Sequence, residues 1–261
     1  MLLKDKVIII TGVGPGMGQA MAKIAAREGA KVALAARSES FIRGVASEIQ
    51  ASGGQVIAVP TDVGERSQCD ALVAATVEAF GRVDGLVNSA FVVGQSAPFE
   101  SADIEGWTAT FNVTCLGAVR MSQAVSAQMK HQGGGAIVNV GALQAQQHFP
   151  PGSLSYAVAK GALHTATRQL AAELGPFNIR VNTARCGWLW GQPVRTGIPM
   201  IAKHLGLSAE EYQDRITQRI ALRVIPPEEE CGRTVLLFVS DYTKMVTGAA
   251  LDINGGEWMA P

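Results

Sequence analysis

The 261-residue chain has little charge, few aromatic residues and no excess of either sign. Charged residues make up 17% of the sequence, and the 22 basic side chains balance the 22 acidic ones. Without a basic stripe, nucleic acid is not an expected partner. Hydrophobic residues make up 48%, which predicts a large packed core rather than disorder. Because α/β folds often reach this length, we expect residues 1–261 to form one domain.

Long apolar runs, cysteine pairs and metal-ligand spacings are also missing. No apolar stretch approaches the ~20 residues of a membrane span, so no membrane partner is expected. The first residues lack the apolar stretch of a signal peptide. The four cysteines are scattered, which predicts reduced, mostly buried thiols, and the four histidines show no metal-ligand spacing. These features predict a cytoplasmic protein without a bound metal.

A glycine-rich turn stands between a strand pattern and a helix pattern near the N-terminus. Residues 6–11 are mainly β-branched, and a helical pattern begins at Gln19. Glycines let the backbone approach a diphosphate without a Cβ in the way, and a helix N-terminus attracts phosphates. The alternative is a glycine turn that binds nothing. The sequence favours a dinucleotide site with five candidate residues: Gly12, Gly14, Gly16, Met17 and Gly18.

Strand and helix patterns alternate along the rest of the chain. Such βαβ alternation predicts a doubly wound parallel sheet of about seven strands, with helices on both faces and ligands beyond the carboxyl ends of the strands. One long helix is predicted from about Asp103 to Lys130. The segment 189–225, which contains several prolines and a helical piece near 208–220, fits the alternation least well. A long insertion at the carboxyl end of a strand is more often functional than idle, and crystal disorder or an oligomer contact is the alternative.

Tyr156 and Lys160 are four residues apart in another helical pattern. On a helix surface, residues at i and i+4 are neighbours. An ordinary tyrosine titrates near ~10, and a nearby cation favours the phenolate. The spacing therefore predicts that Lys160 lowers the pKa of Tyr156 for acid–base catalysis, although a chance pairing on a helix surface would give the same pattern.

In combination, these motifs resemble the short-chain dehydrogenase/reductase family. The resemblance is carried by Thr-Gly-x-x-x-Gly-x-Gly at 11–18, by Tyr-x-x-x-Lys at 156–160 and by four further markers in the same order. The other markers are Asp-Gly-Leu-Val-Asn-Ser-Ala at 84–90, the segment 107–112, Ile-Arg-Val-Asn at 179–182, and Leu-Asp-Ile-Asn-Gly-Gly at 251–256.

The resemblance implies a role for each matching residue. Tyr156 would be the general acid or base, and Lys160 would bind the nicotinamide ribose and lower the tyrosine pKa. Asn112 would anchor a water for proton relay. Further cofactor contacts would come from Asp62, Val63, Asn88 and Leu189. The segment 189–225 would be a mobile lid over the substrate. The family commonly forms homotetramers, so a homo-oligomer, a tetramer or a dimer, is expected.

The end of the second predicted strand bears on which nicotinamide cofactor is used. An acidic residue there would hydrogen-bond the adenosine ribose and repel a 2′-phosphate. This chain has Ala36 followed by Arg37 and Ser38. Because arginine binds phosphate bidentately and serine adds a donor, the sequence favours NADP(H). NAD(H) stays open, since Arg37 could simply be solvated.

The chain departs from the family pattern around the expected substrate. Relatives carry a serine after the fifth strand, where this chain has Ala142 or Leu143 according to the alignment. Gln144 is the candidate substitute because its amide can donate a hydrogen bond. An aromatic pocket for a hydrophobic or ring-containing substrate is predicted from Phe91, Phe149, Trp188 and Trp190, each of which could instead be a core residue.

The sequence thus favours an NADP(H)-dependent oxidoreductase that interconverts a ketone and a secondary alcohol on a small molecule. Two alternatives remain. The scaffold could catalyse a non-redox elimination or isomerisation, or the chain could be a nucleotide-binding protein whose catalysis has decayed.

Overall fold

A seven-stranded parallel sheet forms the centre of the protein in the computed structural model, which describes residues 1–148 and 154–260. The strand order is β3-β2-β1-β4-β5-β6-β7. This confirms the predicted doubly wound sheet. The strands are β1 (Val7–Thr11), β2 (Lys31–Ala36), β3 (Gln55–Pro60), β4 (Gly85–Asn88), β5 (Gly135–Ala142), β6 (Ile179–Cys186) and β7 (Ala250–Ile253).

Helices cover both faces of this sheet because its inner strands are apolar on both sides. Along β1, Ile8 and Ile10 pack into one core cluster with residues of the first, second and last helices, whereas Ile9 packs into a second cluster. The helices are α1 (Met17–Arg27), α2 (Glu39–Ala51), α3 (Arg66–Phe80), α4 (Trp107–Phe111), α5 (Ala118–His131), α6 (Leu154–Leu174), α7 (Gln192–His204), α8 (Ala209–Arg219) and α9 (Glu228–Leu237).

The long helix expected from Asp103 to Lys130 differs from the observed structure. Helical structure begins at Trp107, and a π-helical turn spans Asn112–Gly117 between α4 and α5. Gly117 lies against Val63, and a Cβ at this glycine would come within 2.6 Å of the valine side chain. This close contact between distant parts of the chain favours glycine, and π-helical turns often occur at functional sites.

The segment 189–225 contains two helices rather than the single helical piece expected near 208–220. Helix α7 begins with Pro193 in its first turn, where a backbone N–H is not needed. Helix α8 begins with a capping box between Ser208 and Glu211. Their buried faces form a cluster that includes Ile198, Tyr212 and Ile216. The segment therefore has a small core of its own beside the sheet.

Strand order reverses between β1 and β4, because β1 pairs with β2 on one side and β4 on the other. In open α/β sheets, the crevice at such a switch point is the usual ligand site. The carboxyl ends of β1, β4, β5 and β6 meet there. They bring Gly12, Ser89, Ala142 and Cys186 to one cleft.

Candidate active site

The glycine loop connects β1 to the start of α1. Gly12 has a φ of 70°, and a Cβ there would lie 2.5 Å from the backbone nitrogen of Ala90. A Cβ at Gly18 would collide with the carbonyl oxygen of Gly12. A Cβ at Gly14, by contrast, would have no neighbouring atom within 4 Å. The loop is therefore packed tightly against the protein and open on the side of Gly14.

The start of α1 faces this open side. Its N-cap is Gly16, and no side chain caps the helix. The first N–H groups of a helix favour an anion, and the macrodipole adds a partial positive charge. Loop and helix together have the open backbone and the partial charge that a diphosphate needs, while its binding by the five predicted residues stays a prediction.

Two cavities meet at the glycine loop. The tyrosine cavity has a volume of about 360 Å³ and includes Tyr156, Lys160 and Ala142 in its lining. The strand-end cavity has a volume of about 420 Å³ and lies at the ends of β2 and β3, beside Arg37. Residues of the two cavities overlap at Gly12, Gly14, Pro15, Ser89 and Phe91. A dinucleotide could therefore extend from one cavity into the other across the loop.

Lys160 is the most unusual side chain in this region, because it is a charged group with only 2% exposure. Its Nζ donates to the carbonyl oxygen of Val140 at 2.5 Å. The same Nζ lies 5.5 Å from the ring centroid of Tyr156, which precedes it by one turn of α6. The Phe91 ring lies 5.9 Å from the Tyr156 ring, measured between centroids. These three side chains form one cluster at the wall of the tyrosine cavity.

The protonation of this pair differs from the expectation. Although Tyr156 keeps partial exposure, burial raises its pKa above the ordinary tyrosine value, with a smaller contribution from the Cys186 thiol. Burial also lowers the pKa of Lys160 to about 8. The net shift of the Tyr156 pKa is therefore upward rather than downward as expected, because desolvation disfavours the phenolate. At neutral pH, Tyr156 is a phenol and most of Lys160 is an ammonium.

Asn112 begins the π-helical turn, and its described hydrogen bonds are with Arg120. Its Oδ1 accepts a hydrogen bond from Arg120 at 2.8 Å, and its carbonyl oxygen accepts another from Arg120 at 3.1 Å. Asn112 lines neither of the two cavities. The proton relay expected of Asn112 stays a prediction.

Thr114, two residues later in the π-helical turn, is a residue that the sequence analysis missed. Its hydroxyl donates to the carbonyl oxygen of Val92 at 3.1 Å and accepts from the N–H of Val92 at 3.0 Å. Thr114 has no solvent exposure. It anchors the segment after β4 and so positions Phe91 beside Tyr156. No sequence signal marked it, because the contact joins residues 22 positions apart.

Asn88 also lies elsewhere than expected. Its Nδ2 donates to Asn139 at 2.9 Å and to Ser122 at 3.2 Å, within the core between β4, β5 and α5. The side chain therefore connects internal elements and is not part of either cavity lining. Ser89, the next residue, lines both cavities instead.

Three of the five predicted substrate residues line the tyrosine cavity: Phe91, Gln144 and Trp188. Trp190 does not line it. Its N–H donates to Pro226, and its side chain packs against the cluster between α7 and α8. The ring of Trp190 is part of a local core, and the substrate contact expected of it stays a prediction. Phe149 lies outside the described residues.

The remaining predicted cofactor residues line one cavity or the other. Leu189 lines the tyrosine cavity. The strand-end cavity is lined by Arg37, Ser38, Asp62 and Val63. Arg37 is exposed and forms no ion pair with any residue that the structure describes. An anion entering the cavity would therefore meet a cation that is available to bind it.

Glu228 is a second residue that the sequence analysis did not place at the site. It opens α9, as expected for an acidic residue at a helix start, and it also lines the tyrosine cavity. Its Oε2 is buried and has no hydrogen-bond partner among the described residues. A Cβ at Gly191 would lie 2.5 Å from this oxygen. The side chain lies at the cleft because α9 packs on α1. A linear motif does not predict that packing.

Neither a membrane-spanning helix nor a metal-ligand cluster occurs within residues 1–148 and 154–260. No helix there has both the length and the apolar composition to cross a membrane. No group of three or more His, Cys, Asp or Glu side chains is arranged there to hold a metal ion.

Comparison with known proteins agrees with this geometry. A family model described as enoyl-(acyl carrier protein) reductase matches residues 12–257. L-rhamnose 1-dehydrogenase (NAD(P)(+)) of Azotobacter vinelandii is 35% identical over 270 residues, covering 98% of each chain. The 2,5-dichloro-2,5-cyclohexadiene-1,4-diol dehydrogenase LinX of Sphingobium indicum is 31% identical over 255 residues, 97% of this chain and 96% of that one.

A solved structure is similar over the same extent. L-sorbose reductase from Gluconobacter frateurii, complexed with NADPH and L-sorbose, superposes with a TM-score of 0.91 at 28% identity, covering 98% of both chains. The chain belongs to the short-chain dehydrogenase/reductase family. It is an NAD(P)-dependent oxidoreductase that acts on CH–OH groups.

Because a Cβ at Gly14 would meet no protein atom, a substitution there tests directly whether the glycine loop binds the nucleotide. Gly14→Ala should leave folding unchanged, because the added methyl meets no protein atom, but it should weaken NADPH binding at least about tenfold by occupying space beside the diphosphate. Calorimetric titration measures the affinity, and circular dichroism checks the fold.

Gly44→Ala is the matched control, since its Cβ would also meet nothing within 4 Å, in helix α2 away from both cavity linings. If Gly14→Ala bound NADPH as tightly as Gly44→Ala, the diphosphate would not lie against this loop.

Proposed function

We propose that the protein interconverts a ketone and a secondary alcohol with NADP(H), on a hydrophobic or ring-containing small molecule. The observation that carries this proposal is the placement of Tyr156 and Lys160 on the wall of a cavity that continues into the glycine loop. The cofactor supplies or accepts a hydride when it is bound. The protein's own groups bind and orient the substrate and the cofactor, and they transfer the proton.

Tyr156 acts as the acid for reduction. Its raised pKa keeps the phenol protonated at neutral pH, so it has a proton to give to the carbonyl oxygen. When that proton leaves, the Lys160 ammonium on the same helix face stabilises the phenolate. In the direction of oxidation, the phenolate takes the proton back from the alcohol. Lys160 is also placed to hold ribose hydroxyls, since an ammonium has three donors and only one bond, to Val140, is described.

The residues of the cavity wall support this substrate class. Phe91 and Trp188 present aromatic surface beside Tyr156, while Val140, Ala142 and Leu143 add apolar surface. Such a cavity favours an apolar or cyclic body with few polar groups. The similarity to a dehydrogenase named for a cyclohexadienediol is in keeping with a ring.

Tyr156→Phe tests the chemistry. The variant should lose at least about 10²-fold in kcat for a cyclic ketone, followed by the absorbance of reduced nicotinamide, because no general acid remains. Tyr242→Phe is the control, since Tyr242 is 82% exposed. Full activity of Tyr156→Phe would contradict the role. Product formation without a cofactor absorbance change would favour the non-redox alternative, and nucleotide binding without any turnover would favour decayed catalysis.

The family serine is absent from this site in our interpretation. Ala142 and Leu143 stand at the serine position in the two alignments and are buried in the wall of the tyrosine cavity. Neither side chain can donate a hydrogen bond. We place Gln144 in that role, because it follows directly, lines the same cavity and carries an amide N–H₂ group.

Gln144→Ala should lower kcat by about 10²-fold, as expected for the loss of one donor to the reacting oxygen. Gln146→Ala is the matched control, because Gln146 is exposed and its amide is bonded to Ala145. Adding Ala142→Ser to Gln144→Ala should restore part of the rate, which kcat measurements on the double variant would show. Unchanged turnover in Gln144→Ala would remove the glutamine from the mechanism.

The preference for NADP(H) rests on the strand-end cavity. Arg37 and Ser38 line it without a carboxylate at position 36, and an exposed arginine can bind a 2′-phosphate bidentately. The NADPH complex of the similar sorbose reductase is in keeping with this choice. NAD(H) would not use the arginine.

Arg37→Ala should raise the KM for NADPH about tenfold or more and leave the KM for NADH nearly unchanged. Steady-state kinetics with both cofactors measure the two values. Arg43→Ala is the control, since Arg43 is paired with Glu39 on α2 and lines neither cavity. An equal rise in KM for both cofactors would show that Arg37 does not bind the 2′-phosphate.

A homo-oligomer and a cytoplasmic location stay predictions, as does the assignment of one domain with a lid at 189–225. For the oligomer, the structure offers one supporting feature. β7 is one of the two edge strands of the sheet, and its Ala250 and Leu251 are exposed.

A further inference from the structure

A third cavity lies between α7 and α8, outside the site described above. This helical cavity has a volume of about 720 Å³ and opens to solvent. Its lining is mainly apolar, with cationic or imidazole side chains from His204, Arg215 and Arg219. A volume of this size can take a drug-sized group or a long chain.

The helical cavity adjoins the tyrosine cavity. Trp188 and Ile201 line both of them. Both residues are partly buried, and both pack against the apolar cluster of α7 and α8. A ligand whose reacting carbon lies at Tyr156 would therefore reach the helical cavity by passing along these two side chains.

The charge in the helical cavity has one sign. Arg215 is exposed and forms no ion pair with any described residue, and no acidic side chain belongs to the lining. Two of the nearby carboxylates are already engaged, whereas Glu210 and Asp214 on α8 are exposed and do not line the cavity. Glu257 accepts from Arg219 at 3.3 Å, and Glu211 caps α8. An anionic group entering between the helices would meet Arg215 without displacing an internal partner.

We propose that the helical cavity binds the far end of an elongated substrate that carries an anionic group, a carboxylate or a phosphate. The apolar body of that substrate lies along Trp188 and Ile201, and its keto or hydroxyl carbon lies at Tyr156. This inference rests on the proposed function for the position of the reacting carbon. The anion contact itself does not depend on turnover.

Calorimetry with three probes of equal chain length tests the contact: octanoate, octyl phosphate and 1-octanol. In the full-length protein, octanoate should bind more tightly than 1-octanol. Arg215→Gln should weaken the binding of octanoate about threefold to tenfold, the range for an exposed ion pair. It should leave the binding of 1-octanol unchanged. The octanoate advantage should shrink as the salt concentration rises.

Arg233→Gln is the matched control, because Arg233 is an exposed arginine on α9 that does not line the cavity. Octyl phosphate distinguishes the two anions: tighter binding than octanoate, lost in Arg215→Gln, assigns a phosphate, and weaker or equal binding assigns a carboxylate. The proposal is overturned if octanoate and 1-octanol bind alike, if neither binds, or if Arg215→Gln leaves octanoate unchanged.

A parallel titration with NADPH separates this inference from the proposed function. If NADPH binds normally and Arg215→Gln does not change the affinity for octanoate, only the proposal of an anion site in the helical cavity is overturned. Loss of NADPH binding in the wild-type protein overturns the proposed function, while the octanoate result still decides the anion site.

Discussion

The buried hydrogen bond from Lys160 to Val140 is the interaction on which the site depends. An ammonium with 2% exposure is costly unless it is hydrogen-bonded, and here the acceptor is a carbonyl oxygen near the end of β5. The bond ties α6 to the strand whose end forms the cavity wall. Because Tyr156 precedes Lys160 by one helical turn, the same bond sets where the phenol meets the cleft. Burial that lowers the lysine pKa also keeps the tyrosine protonated.

Much of the fold could be predicted from the sequence, because strand and helix periods alternate and are local properties. The π-helical turn could not. It depends on Gly117 packing against Val63 and on Thr114 bonding to Val92, which are contacts between distant segments. Helix α7 was missed for a related reason. Its prolines read as breaks, yet one lies in the first turn and the helix continues through Pro199 because its apolar face packs on α8.

The candidate site divides in the same way. The glycine loop, the Tyr156–Lys160 pair and Arg37 are contiguous motifs, and the structure places all of them in the two adjoining cavities. Asn88 and Trp190 have suitable side chains at suitable positions in the chain, but core hydrogen bonds and local packing turn them away from the cleft. The position of Glu228 at the cleft and the helical cavity both depend on how helices pack in the folded chain. A linear sequence pattern therefore could not predict either of them.

The most direct test of this account is the pKa of Lys160 in the folded protein. An NMR titration of the lysine ¹³Cε signal, assigned by its absence in Lys160→Met, measures it. The account predicts a midpoint near about 8, well below the ordinary lysine value of 10.5, because the ammonium is desolvated beside Val140. A midpoint at the ordinary value would show that this lysine is solvated, and would contradict the buried pair on which the proposed chemistry rests.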